Sequence, residues 1–236
     1  MTIMDKPLSG VPDLVVRELG SPDDPLVASW LELYRQAFPP QERVPESDHL
    51  DLLQARAEGR EPGAHLIAVC RRGEAKSLAM ARYSYDGDTA FGYLMYLGVA
   101  PEVRSRGIGG ALYSEILRRL QAHAKAAGRV LRGMVIEVED PQASADAGAQ
   151  RDAVRRLSFY RRLGIRRLAG IHYTQRVPGQ PPVTMLVLVD PLDPALAASD
   201  AVAAAQRLLG GIQRIGAVAL VAIQPSASGR APDTED

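Results

Sequence analysis

The sequence holds a single cysteine, Cys70, among 236 residues. One thiol excludes an intrachain disulfide and any cysteine-built metal cluster. Inside the apolar run LIAVC it reads as a small buried hydrophobe. Net charge is lacking too: 28 basic residues balance 28 acidic ones, so no overall field marks a nucleic-acid or membrane partner. Lysine is scarce, occurring only at 6, 76 and 125, and arginine carries the remaining positive charge. With the abundance of alanine, this is the habit of a GC-rich bacterial genome. Long hydrophobic runs are absent. IGAVALVAI near the C-terminus falls far short of the ~20 residues a membrane helix needs, and MTIMDKPLSG has no apolar stretch of the signal-peptide kind. A cytoplasmic setting is therefore expected, with neither membrane nor nucleic acid as partner. His65, His123 and His172 lack metal-ligand spacing, so no metal is expected.

What is present is ordinary for a globular protein, with 46% apolar and 24% charged residues. The length suits one α/β domain with an extension. Residues 1–10 read as a flexible lead, 11–190 as the domain, 191–223 as an Ala-rich extension packing on it, and 224–236 as a disordered tail. Turn residues and periodicity place strands at 14–19, 65–71, 77–85, 89–99, 130–139, 166–175 and 183–190. Helices are expected at 25–38, 49–57, 107–127, 151–163 and 195–209. In the third of these, Leu112, Ile116, Leu120 and Ala124 form a buried stripe, and Glu115 with Arg118 and Arg119 suits an exposed face. The loop 140–150 is small and polar. The apolar run 215–223 must pack somewhere, as helix or strand. Adjacent strands are mostly antiparallel, but a helix between 99 and 130 makes that pair parallel. The fold class is α+β: a largely antiparallel mixed sheet flanked by helices.

Chemistry concentrates in YLMYLGVAPEVRSRGIGGALYSEIL, residues 93–117. A strand runs into a turn holding Arg104, Ser105, Arg106, Gly107, Ile108, Gly109 and Gly110, and a helix starts at once. Helix N-termini leave backbone N–H groups unpaired under a partial positive charge. Glycines let a bulky anion approach, and arginines add charged donors. This describes a diphosphate site. A nucleotide P-loop requires GxxxxGK[ST], which does not occur, and in the dinucleotide fingerprint Leu112 stands where the third glycine belongs.

At these residues the sequence resembles the GNAT superfamily of N-acetyltransferases, whose signature Arg/Gln-x-x-Gly-x-Gly/Ala is matched by Arg104-Ser-Arg-Gly107-Ile-Gly109. LGVAP before it and GALY after it are similar as well. The resemblance implies the acyl-CoA N-acyltransferase fold, with a bulged strand splayed from its parallel neighbour, and acetyl-CoA as co-substrate. Leu97, Gly98 and Val99 would hold the pantetheine arm and polarise the thioester. Phe159-Tyr160-Arg161-Arg162-Leu163-Gly164 is a second match. It implies that Phe159 contacts the cofactor and that Tyr160 protonates the leaving thiolate, the alternative being a packing aromatic. Ala153 stands where the family often has asparagine. Arginines 155, 156, 161 and 162 either reach phosphates or form a solvated face. YLMYL offers only Tyr93 and Tyr96 where some relatives carry a basic carboxylate. Glu137 and Glu139, sharing a face of the next strand, are the alternative base, a polar strand end or a site for a substrate cation being the other readings. The loop 38–46 resembles the one that borders the acceptor, which makes Glu42, Arg43 and His49 weak acceptor-site candidates.

The expected reaction is acetyl transfer from acetyl-CoA to a primary amine, by direct attack in a ternary complex. The acceptor is a small molecule or a peptide, and homodimerisation stays open. A non-catalytic acyl-CoA-binding module, a transferase for longer acyl chains and, last, a nucleotide-binding protein are the rival readings.

Overall fold

The computed structural model describes residues 6–60, 63–144 and 146–224. Among the described residues nine strands form one sheet in the order β1-β2-β3-β4-β5-β6-β8-β7-β9. They are β1 Lys6–Leu8, β2 Val11–Glu18, β3 Ala64–Arg71, β4 Ala79–Asp86, β5 Phe91–Val99, β6 Gly133–Glu139, β7 Arg166–Gln175, β8 Val183–Pro191 and β9 Gln213–Ala222. The helices are α1 Val27–Ala37, α2 Glu46–Ala57, α3 Ile108–Ala126, α4 Ala147–Arg162 and α5 Ala198–Leu209. This is the expected α+β class. Every strand pairing is antiparallel except β5 with β6, because α3 carries the chain back before β6 begins.

Three expectations meet differences, and one left open is decided. The stretch 6–8, read as part of a flexible lead, is β1 and pairs with β2. α4 starts at Ala147, four residues earlier than read, with the Asp146 side chain accepting from the Ala149 N–H. That cap draws the helix into the polar loop. Glu115 is not on an exposed face: it is 8% exposed and binds Arg118, Arg119 and Lys6. The apolar run 215–223 lies mostly in β9, which pairs with β7. All but Gln224 of the expected tail 224–236 lies outside the described residues, as do residues 1–5.

One irregularity shapes the sheet. Arg82 of β4 pairs with Tyr96, but Tyr83 pairs with Leu94, so Met95 is an extra residue in β5. Such a bulge reverses which face later side chains take. A Cβ at Gly92 would strike Leu120 of α3, whereas one at Gly98, six residues on, would meet Ala37 of α1. α3 and α1 therefore cover opposite faces of β5. Phe91 and Val135 pack with Ala201, Val202, Ala204 and Ala205 of α5, which places α5 on the face away from α3. The buried stripe of α3 is as expected, with Leu112, Ile116, Leu120 and Ala124 in the main core.

Parallel pairing of β5 and β6 ends at Leu94 with Ile136. Beyond it β5 stays with β4, and β6 stays with β8 through Glu139. The two strands part, and a V-shaped opening is left in the middle of the sheet.

Candidate functional site

The opening is the mouth of a cleft of about 530 Å³. Leu97, Gly98 and Val99 form one wall, with backbone groups that no longer reach β6. At its end the chain turns through Ser105 and Gly107, both at positive φ (62° and 78°), into α3. The amide of Ala111 makes the first helical bond, to Gly107 O at 3.0 Å, and no side chain caps the helix. The amides of Ile108, Gly109 and Gly110 are thus left for a ligand. A Cβ at Gly107 or Gly110 would meet nothing within 4 Å, so the turn is open rather than packed against protein. Arg104 donates through Nε to Val99 O at 3.1 Å. Its guanidinium pKa is lowered by burial and by Arg155 nearby, with Asp152 and Glu102 acting the other way. This donor set fits a pyrophosphate.

α4 supplies the opposite wall. Phe159, Tyr160, Arg155, Arg156 and Arg162 line the cleft. Tyr160 is buried and its phenol pKa is pushed up by burial, against Arg156. A neutral phenol that holds its proton can serve as a general acid.

Where β6 enters the opening, Glu137 accepts a hydrogen bond from Tyr93 Oη at 2.5 Å. Burial raises the pKa of Glu137, while the Tyr93 and Tyr173 hydroxyls work against the rise. Its Oε2 is buried without a hydrogen-bond partner. Glu139 lies one register further on. It accepts from Arg156 at 3.3 Å and does not line the cleft. Arg156 also reaches Glu42, at 3.4 Å. Burial lifts Glu42 to about 7, opposed by Arg156 and reinforced by Glu139. The loop that presents Glu42 is held by Tyr96, whose hydroxyl donates to Glu42 O at 2.9 Å and accepts from the Val44 amide at 3.1 Å.

Of the sequence candidates, Glu42 lines the cleft, whereas Arg43 and His49 do not. His49 is fully buried between the rings of Trp30, Tyr34 and Tyr96. Burial, helped by Arg82, lowers its pKa to about 3, as for a neutral core histidine. Arg106 is exposed outside the cleft. Cys70 is buried in β3. Met95 and Gln175 were not singled out by sequence, yet both line the cleft. Met95 is there because of the bulge, and Gln175 because β7 runs beside β8.

A strand-splayed mixed sheet with a glycine-rich helix origin at the splay defines the acyl-CoA N-acyltransferase fold. Residues 27–165, more than half of the chain, match the model of the acetyltransferase (GNAT) family, and the chain belongs to that family. Among solved structures it is similar to a GNAT-family protein from Bacteroides thetaiotaomicron, with 20% identity and a TM-score of 0.53 over 77% of this chain and 90% of that one. It is also similar to the acetyl transferase from Salmonella typhimurium that modifies the N-terminal serine of ribosomal protein L7/L12, with 15% identity and a TM-score of 0.50 over 79% and 98%. No curated sequence matches the chain. No helix among the described residues is long and apolar enough to cross a membrane, and no group of metal-ligating side chains is found among them.

Proposed function

We propose that the protein transfers the acetyl group of acetyl-CoA to a primary amine by direct attack within a ternary complex. The observation that carries this reading is the open helix origin at 104–110, opposite an acidic side chain across the splay. In the reading, amides 108–110 with Arg104 and Arg155 hold the pyrophosphate, and the free edge at Leu97–Val99 holds the pantetheine arm. Glu137 takes one proton from the ammonium of the acceptor. The nitrogen lone pair then forms the C–N bond at the thioester carbonyl, and the C–S bond breaks as the tetrahedral centre collapses. Sulfur takes the Tyr160 proton, the second proton shed by nitrogen restores the tyrosine through solvent, and Glu137 releases its proton to solvent. The products are an acetamide and free CoA thiol.

The test is calorimetry with CoA together with thiol release in the presence of an amine panel. Micromolar CoA binding and amine-dependent thiol release are expected. Gly109→Val should weaken CoA binding at least tenfold. A Cβ there fits beside Phe159 and Val99 at 3.4–3.6 Å, so the further methyls must enter the cleft. Binding that ignores this substitution overturns the cradle. CoA binding without any amine-dependent turnover would make the protein an acyl-CoA-binding module instead.

A further inference from the structure

A second cavity, of about 690 Å³, opens beside the cleft and shares Met95, Glu137 and Gln175 with it. Two of these shared residues carry buried acceptor atoms that make no hydrogen bond, Glu137 Oε2 and Gln175 Oε1; the Tyr173 hydroxyl, which also lines the cavity, lies near enough to Glu137 to act on its pKa. The Gln175 amide is oriented by its Nε2, which donates to Glu42 O at 3.4 Å, so its oxygen is the end left over. Buried acceptors without donors are costly, and a ligand that brings N–H groups removes the cost. An ammonium supplies up to three.

The rest of the cavity is mixed. Leu208 and Leu209 at the end of α5, with Val44 and Val177, make part of the wall apolar, while Tyr93, His172, Tyr173, Thr174 and Gln213 add polar groups. Among the described residues of its lining, Glu137 is the one carboxylate and Arg176 the one arginine. A polyamine would find no second anion there and would meet a cation. The volume matches a small-molecule site. The α5–β9 turn that contributes Leu208, Leu209, Gly211 and Gln213 lies beyond residue 165, where the family match ends, so this wall belongs to the chain's own extension.

The geometry points to this cavity as the acceptor site, with Glu137 and Gln175 receiving the amine of a small molecule whose body is apolar, and with the extension setting its selectivity. This rests on the acetyl-transfer reading for what happens next, but the binding itself can be read without turnover. Calorimetry with phenethylamine, spermidine and a lysine-containing peptide, each in the presence of CoA, measures it directly. Phenethylamine is expected to bind at least tenfold more tightly than the other two. Leu209→Asp should weaken phenethylamine at least tenfold while CoA affinity stays within twofold, and Leu208→Gln, a milder change, should weaken it several-fold. Tighter spermidine or peptide binding, or phenethylamine affinity unmoved in both variants, overturns the assignment. If phenethylamine binds as expected yet no acetamide forms, the acetyl-transfer reading fails and the amine site stands.

Discussion

Glu137 and Glu42 are both raised by burial, and the direction dictates how the rate should depend on pH. A raised carboxyl keeps its proton as pH climbs past the ordinary carboxylate range, so a base of this kind works only above its shifted value. Turnover is therefore expected to rise with pH on a limb above the usual carboxylate range. Glu137→Gln should remove that limb and lower kcat by about 10²-fold at neutral pH. If Glu42→Gln removes it while Glu137→Gln leaves it, the proton goes to Glu42 and the assignment falls. Tyr160→Phe should lower kcat more than it changes acetyl-CoA affinity, because the ring stays and only the acid is lost; equal kcat sinks the acid role. Glu137 was legible in the sequence because strand alternation put it on one face with Glu139. The difference between them was not legible, since it depends on Arg156 arriving from α4 to occupy Glu139. Gln175 was equally hidden: a lone polar residue at a strand end announces nothing until a cavity forms against it.

The turn into α3 is the element on which the proposed cofactor binding depends. Gly107 sits at φ +78°, and a Cβ there would touch nothing, so the demand on glycine is conformational and not steric. Gly107→Ala should cost about 1–2 kcal/mol in stability and weaken acetyl-CoA several-fold as the amides re-aim. Gly107→Asn, which tolerates the left-handed region better, should recover part of both; thermal unfolding and calorimetry read them. If alanine leaves both unchanged, the turn does not set the amide geometry. Strand and helix order, and the parallel pair, could be read from turn residues and periodicity because α3 is strongly amphipathic. The resemblance implied a bulge in this strand, but its position at Met95 could not be read, since YLMYLGV carries the same composition in either register. The segment 215–223 gave no period to choose by. Pairing with β7 decides its form.

At the scale of the molecule, one ion network whose members do not line the cleft ties the sheet to two of its helices, α2 and α3. Glu18 of β2 pairs with Arg56 of α2 and with Arg119 of α3 at 2.8 Å, and His65 Nδ1 of β3 lies 2.6 Å from it. Arg119 also binds Glu115 at 2.8 Å, and Lys6 of β1 reaches Glu115 at the same distance. Burial would raise both carboxyls, but their partners win and hold each at about 2: His65 and Arg56 at Glu18, and Arg118, Lys6 and Arg119 at Glu115. Carboxyls depressed in the folded state contribute stability that is complete above their unfolded pKa, near 4.5, and is lost as pH falls toward 2. For Glu18 the shift from 4.5 to about 2 corresponds to about 3 kcal/mol, a large fraction of a typical domain's stability. The protein should therefore unfold in acid between about pH 4.5 and pH 2. Glu18→Gln should lower stability at pH 7 and flatten the fall across that window, while CoA affinity of the folded protein at neutral pH stays unchanged. Far-UV circular dichroism along a pH titration, with urea midpoints at pH 7 and pH 4, separates the two contributions. An acid transition of the same depth in Glu18→Gln would mean that carboxyls elsewhere, not this network, control the loss.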